Sequence, residues 1–412
     1  MLTKILGFVI KIFYTRVIGP EGIALYSIVV PTYSLLLTIA QLGLPIAISK
    51  MVAEEQNSSQ KIVFSSVIII LLLNVVLIII TILGAPFIAS SLLKQSEVTS
   101  LIVAMALTLP FVSLSSILKG YFFGKQRMMP NTVSNVIEQI VRLVVIVIVL
   151  PYLFKISVVA ATVGLILLNI VSEIAQIFIY MLCLPKNWSL NANDIKPDVK
   201  VIKEVLSISF PTVSSRFIGN IGYFFEPIIL TQLLLLSGYS SKYIILEYGV
   251  FNAYALQTLL LPAFFIGAIS TSLIPEISKF YAARNYEMVK RRFKQAMGIS
   301  LVLGIFFSVA ISLFAEDILR ILYNTTSGVN YIKILAPFFV LFYLEGPLVS
   351  ALQALNKAKV TMKITFYGVI IKLVVLAIGS LVHIGLYGLV IAEIINILFI
   401  VFLNFKEIKK LI

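Results

Sequence analysis

Four things are scarce in this 412-residue chain: cysteine, histidine, tryptophan and charge. The single cysteine, Cys183, excludes a disulfide framework. The single histidine, His383, leaves no His/Cys/Asp cluster from which to build a metal centre, so neither metal nor cofactor is expected. No glycine-rich G-x-x-x-x-G-K-[ST] run is present, so the chain is not expected to hydrolyse nucleotide. No polar segment is large enough to house a transferase site, and an enzyme is not expected. Charged residues make up 12% of the chain, about half of the roughly 25% that a soluble domain carries. A soluble fold of this length could not cover its surface with so little charge.

What is present is apolar. Residues of the hydrophobic types make up 60% of the chain, which also excludes disorder. About 247 apolar residues, at roughly 20 per crossing, fill about twelve membrane helices. Twelve long apolar runs are legible near 1–18, 24–48, 61–85, 98–123, 132–154, 157–183, 203–236, 243–274, 293–315, 330–355, 361–382 and 385–404. They are too long for barrel strands and lack a period of two, so the predicted class is an all-α polytopic membrane protein. Lys11 and Arg16 interrupt the first run, and no cleavage site follows it, so it reads as a membrane helix and not a signal peptide. Residues 275–294 read as a basic, amphipathic interfacial segment serving as an anchor or a headgroup contact.

The excess of Lys and Arg, 32 against 18 acids, bears on topology and does not suggest nucleic acid. With the N-terminus inside, the even loops and the C-terminal tail hold twenty Lys and Arg and the odd loops six. The positive-inside rule then places both termini in the cytoplasm and supports an even number of helices.

The chain also repeats at an offset of roughly 230 residues. PTYSLLLTIAQLGLPIAISK (31–50) faces PAFFIGAISTSLIPEISK (262–279), and 109–149 faces 336–379. The second pair runs Pro, long helix, basic hairpin, then a helix with an embedded cation, Arg142 or Lys372. Six helices per half imply two parallel lobes around a central cavity, an arrangement suited to alternating access. The expected divisions are an N-terminal lobe over 1–185, a cytoplasmic link over 186–202, a C-terminal lobe over 203–404 and a basic tail over 405–412. A single copy would suffice for such a cavity.

Ionisable groups within the runs are costly and need partners or a wet cavity. Glu138 and Arg142 stand four apart, acid before base, and suit an intrahelical pair that is either structural or cavity-lining. Arg216, Asn220 and Tyr223 share one face of a proline-bearing helix, where Arg216 would either bind an anionic group such as phosphate or pair with a buried acid. Glu226, about 15 Å further along, is out of reach of Arg216 and reads as a cation or proton site or a snorkelling group. Lys372 has Glu345 as a possible partner. Glu173 and Glu393 occupy matching last helices, NIVSEIAQI and LVIAEIINI, which suggests scaffold duty. Arg16 would face the cavity entrance or snorkel.

The segment 3–55 carries a resemblance. Its G-x-E-G-x-x-L-Y run (Gly19, Glu21, Gly22, Leu25, Tyr26) and its G-L-P-x-A-I-S-K-x-V-A-E run (Gly43–Glu54) resemble the stage V sporulation protein B family. That family is a polysaccharide-biosynthesis branch of the superfamily that also holds multidrug-and-toxin exporters and lipid II flippases, and the resemblance extends over nearly the whole chain. It implies a flippase for undecaprenyl-pyrophosphate-linked peptidoglycan or polysaccharide precursors in a bacterial plasma membrane, serving cell wall or spore cortex. It also implies that Arg16, in T-R-V-I-G, matches a first-helix arginine that holds the pyrophosphate. The chain departs from the family in two ways. It starts about a dozen residues into the first helix, so either that helix is abbreviated or the reading frame opens upstream. It also shows twelve helices where family members often carry fourteen.

The expected cargo is therefore a polyprenyl-linked anionic glycan held in a basic cavity while its tail stays among the membrane lipids, with Na+ or H+ as an open choice of coupling ion. Arg16, Glu138, Arg142, Arg216, Asn220, Glu226 and Lys372 are the candidate cavity residues. A cation- or proton-coupled drug exporter, which wants an unpaired acid in the first lobe, is the alternative, and a non-transporting scaffold is the third.

Overall fold

The computed structural model describes residues 2–54, 58–185 and 198–411, and among these all regular structure is helical. In chain order the helices are α1 (Leu2–Gln41), α2 (Leu44–Glu54), α3 (Ser59–Pro86), α4 (Val98–Gly124), α5 (Met128–Ile156) and α6 (Val158–Leu182). There follow α7 (Val199–Leu236), α8 (Ser241–Gly249), α9 (Leu256–Leu260), α10 (Ala263–Ala282) and α11 (Tyr286–Leu313). The last are α12 (Ala315–Tyr323), α13 (Val329–Ala354), α14 (Ala358–Leu381) and α15 (Tyr387–Lys409). Several starts are written in short polar side chains ahead of an apolar run. Ser58, Ser157, Ser240 and Asn285 accept the N–H of Lys61, Ala160, Tyr243 and Met288 respectively.

Among the described residues ten helices are long and apolar enough to cross a membrane, and eleven if the bent pair α8–α9 and α10 counts as one crossing. In the most apolar stretch of α5 only 17% of residues are buried. Leu72, Leu83, Ile148, Phe306 and Phe402 are exposed. An apolar exterior of this kind suits a hydrocarbon solvent, with every helix satisfying its backbone internally. The chain is a multi-pass membrane protein.

Two of the predicted runs fuse and one bends. The runs near 1–18 and 24–48 join in α1, which is interrupted at Gly19 with φ 66° and ψ −175°. Only glycine reaches that conformation at little cost, so the Gly of the G-x-E-G run marks a break in direction. The run near 243–274 bends by 54° between α9 and α10, beside Pro262, after a π-helical turn at Val250–Ala255. The 275–294 segment forms the tip of a tight helical hairpin. Helix α10 runs on to Ala282, Arg284 turns at φ 56°, and α11 starts at Tyr286. Arg292 reaches back to Glu276 at 3.5 Å, so the basic residues here ride on helix ends.

Packing divides the chain into two units, Met1–Phe224 and Phe225–Ile412. The division falls inside α7, because its first half packs into the first unit. Val201 and Val205 join a core of Leu44, Ile48, Ile62, Phe122 and Tyr180. Lys61 pairs with Asp198 at 2.6 Å just ahead of α7 and holds that carboxyl below the usual carboxylate range. The link predicted at 186–202 lies mostly outside the described residues. The core of the second unit includes Tyr248, Phe251, Phe339 and Tyr343.

Candidate functional site: a cation-lined cavity in the first unit

Small residues bring α2 against α4. A Cβ on Gly120 would lie 2.8 Å from the Pro45 carbonyl oxygen, and one on Gly124 would lie 2.7 Å from that of Ser49. Gly120-x-x-x-Gly124 is thus a small-xxx-small contact, and it lets the two backbones touch. On either side of this contact Ser49 and Lys50 of α2 and Ser115, Ser116, Lys119 and Phe123 of α4 face a common space.

That space is a cavity of about 790 Å³ within the first unit. Further lining comes from Thr38 and Gln41 of α1, Asn135 and Glu138 of α5, Glu173 and Gln176 of α6, and Val213 and Arg216 of α7. The volume falls in the range of small-molecule sites.

Its acidic wall is fully engaged. Arg142 donates to Glu138 at 2.5 Å and lies 3.7 Å from Glu173. The same guanidinium bonds Ser172 at 3.2 Å. Ser115 donates to Glu173 at 2.7 Å, and Gln176 donates to Asn135 and to Glu138 at 2.8 and 3.2 Å. The predicted Glu138–Arg142 pair therefore forms, and Glu138 also lines the cavity. Glu173, expected to be scaffold, is a second cavity acid tied to the same arginine.

Lys50, Lys119 and Arg216 supply the lining cations. Lys50 lies 3.8 Å from Glu54 in an exposed pair, and Lys119 sits over the Phe123 ring at 5.9 Å. Among the lining side chains these three cations stand against Glu138 and Glu173, which leaves one net positive charge. Arg216 is exposed and contributes to the cavity, while both acids of this wall belong to Arg142. Asn220, one turn further on, donates to Thr38 at 2.5 Å and to the Ser34 carbonyl at 3.3 Å, fixing α7 against α1. Arg16 is exposed on α1 three residues before the Gly19 break and is not a lining residue of this cavity.

Sequence reasoning did not single out Lys119. The signal was present, because Ser115, Lys119 and Phe123 recur at intervals of four and share a helix face. Lys50 is legible in the sequence only as the lysine that ends the 31–50 repeat and stands in the G-L-P-x-A-I-S-K-x-V-A-E run.

The second unit repeats the ionic motif. Lys372 of α14 sits 2.6 Å from Glu393 of α15 and 2.7 Å from Glu226 of α7, and Tyr248 donates to Glu226 at 3.1 Å. Glu393 and Glu226, and not Glu345, are thus the partners of Lys372. Glu226, read as an ion site or a snorkelling group, is buried and paired. In each unit a cation on the fifth run meets an acid on the sixth, Arg142 with Glu173 and Lys372 with Glu393. The second acid comes from the cation's own helix in one unit and from α7 in the other.

An all-α, multi-pass chain with two internal charge triads and a cation-lined cavity has the make-up of a membrane transporter. A family described as polysaccharide biosynthesis protein matches residues 1–281, and one described as MatE matches 227–378. Stage V sporulation protein B of Bacillus subtilis (strain 168) is 31% identical over all of this chain and 82% of its own length. The chain belongs to the polysaccharide biosynthesis protein family, within the superfamily that includes lipid II flippases, and is a transporter-family protein and not an enzyme. Lipid II flippase MurJ of the same organism is 25% identical over 90% of this chain and 74% of that protein. Among solved structures, an inward-facing multidrug resistance MATE family transporter matches with a TM-score of 0.80 and 16% identity, over 98% of this chain and 93% of the other. Lipid II flippase MurJ in an inward closed conformation matches with a TM-score of 0.74 and 14% identity, over 99% and 86%. These two structures share the fold.

Proposed function

We propose that the protein moves a polyprenyl-pyrophosphate-linked glycan precursor across a bacterial plasma membrane by alternating access. The observation that carries this reading is the net cationic lining of the first-unit cavity, where Lys50, Lys119 and Arg216 outnumber Glu138 and Glu173 and both acids are engaged by Arg142. A pyrophosphate is a doubly or more highly charged anion rich in acceptors, and guanidinium and ammonium groups answer it directly. The kinship with stage V sporulation protein B and with lipid II flippase MurJ supports the same cargo class.

In this reading the chain crosses the membrane twelve times, with the Gly19 break separating the first two crossings. Two parallel six-helix lobes, 1–185 and 203–404, are joined by the 186–202 link and enclose a central cavity. Both termini and the 405–412 tail are cytoplasmic, by the distribution of Lys and Arg. The polyprenyl tail remains among the membrane lipids while the headgroup crosses, and one copy is sufficient. Arg16 stands apart from the first-unit cavity as a contact for the approaching pyrophosphate.

The drug-exporter alternative needs an unpaired first-lobe carboxylate. Glu138 and Glu173 share Arg142, which disfavours it. Native mass spectrometry of the purified protein with an undecaprenyl-pyrophosphate-linked precursor tests the reading. The wild type should retain the lipid, and the double variant Lys119→Ala, Arg216→Ala should lose it by tenfold or more. Equal retention by the double variant overturns the assignment.

A further inference from the structure

A second cavity lies in the other unit, at the ends of spans that carry few cations. It measures about 530 Å³ and is bordered by the first turns of α8, α13 and α15. Its side chains include Tyr243, Glu247, Glu316, Asn330, Tyr331 and Tyr387. By the charge distribution this end faces away from the cytoplasm.

The place is constructed by long-range contacts. Tyr239 donates to the His383 carbonyl at 2.6 Å and stacks on Tyr243 at 5.2 Å, which holds the turn before α15 against the start of α8. A Cβ at Gly385, where φ is +60°, would lie 2.7 Å from the Tyr243 hydroxyl, so glycine is required for that approach. Tyr331 is buried and donates to Glu247. Its ring meets Tyr387 edge-on at 5.4 Å and 62°. Tyr387 is 38% exposed, so its ring is available at the opening of the cavity.

Both carboxylates are already answered, Glu247 by the Tyr331 hydroxyl and Glu316 by Arg320 at 2.7 Å. The cavity therefore does not offer a bare negative charge to a metal or an amine. An ionised carboxylate has about four lone-pair sites, however, so each retains capacity to accept hydrogen bonds from hydroxyls. Asn330 adds both a donor and an acceptor. An accessible aromatic ring beside acceptor-rich carboxylates fits a ligand with an apolar C–H face and a rim of hydroxyls.

We propose that this cavity is a saccharide subsite on the non-cytoplasmic side of the second unit, which receives the sugar headgroup of the cargo after it has crossed. The Tyr387 ring stacks on the C–H face of one sugar, and Glu247 and Asn330 take its hydroxyls. This rests on the flippase reading for the source of the sugar, but the chemistry of the cavity can be tested without transport.

The test is saturation-transfer difference NMR on the full-length protein in detergent micelles, with N,N′-diacetylchitobiose as the probe. The wild type should transfer saturation to the sugar ring protons. Tyr387→Ala should weaken binding about fivefold, in line with the contribution of a buried aromatic contact. Glu247→Gln should also weaken it, and Tyr387→Phe should keep the ring and most of the binding. Melting temperatures of all variants check that each is folded. Absence of transfer in the wild type overturns the subsite, as does binding by folded Tyr387→Ala equal to that of the wild type. Tetramethylammonium displacing the sugar also overturns it, since that would mark a cation site. If the wild type flips the lipid-linked precursor but does not bind chitobiose, the subsite fails and the flippase reading stands. If it binds chitobiose but flips nothing, the flippase reading fails and the saccharide site stands.

Discussion

The ammonium of Lys372 is the most consequential single group in the second unit, and removing it gives a quantitative test. It lies 2.7 Å from Glu226 and 2.6 Å from Glu393, whose side chains are only 3% and 13% exposed. Lys372→Met fills much of the same volume but leaves two carboxylates facing each other with no cation. Breaking a buried ion pair from one side costs about 3–5 kcal/mol. The variant should therefore be destabilised by about 3–5 kcal/mol. The triple variant Lys372→Met, Glu226→Gln, Glu393→Gln removes the charges together and should recover most of the loss. Thermal melting in detergent, followed by size-exclusion recovery at pH 7, measures each difference. Wild-type melting of Lys372→Met at pH 7, or a triple variant no more stable than the single one, would refute the reasoning.

Arg142→Met should behave in the same way in the first unit, losing about 3 kcal/mol, with Glu138→Gln and Glu173→Gln added to it restoring stability in the same melting assay. Gly19→Ala meets no heavy atom within 4 Å, so its cost is that of the glycine-only backbone at φ 66° and ψ −175°, about 1–3 kcal/mol, and should appear as a lowered melting temperature. Gly124→Val collides with Ser49 and Val52, so α2 must move away from α4. It should weaken precursor retention more than Gly19→Ala does, read by native mass spectrometry.

How far these features could be read from the sequence depends on the range of the contacts behind them. The helical class and the lipid-facing surface follow from composition, since runs apolar on every face admit no other arrangement. The Glu138–Arg142 pair was legible because four residues on one helix fix two side chains on one face. The matching positions of Arg142 and Lys372, and of Glu173 and Glu393, were legible as a repeat. Their contacts were not, because partner choice between helices depends on their rotation about their own axes, which a one-dimensional pattern does not carry. For that reason Glu345 stood in for Glu226 as the partner of Lys372. Lys119 was lost because a lysine near a helix end looks like an interfacial anchor until the glycine contact with α2 places it at a cavity. The bend before α10 and the hairpin at Arg284 turn on one or two residues, below the resolution of a hydropathy pattern.

The central claim is that this chain carries a lipid-linked anionic glycan across the bilayer through a cationic first-unit cavity. The most direct test is a proteoliposome assay with a fluorescent undecaprenyl-pyrophosphate-linked precursor, in which headgroup exposure is read by membrane-impermeant quenching. The account predicts that wild-type vesicles equilibrate the precursor faster than empty vesicles and that Lys119→Ala, Arg216→Ala vesicles fall back to the empty-vesicle rate while remaining folded. Flipping by the double variant at the wild-type rate, or wild-type vesicles no faster than empty ones, would contradict it.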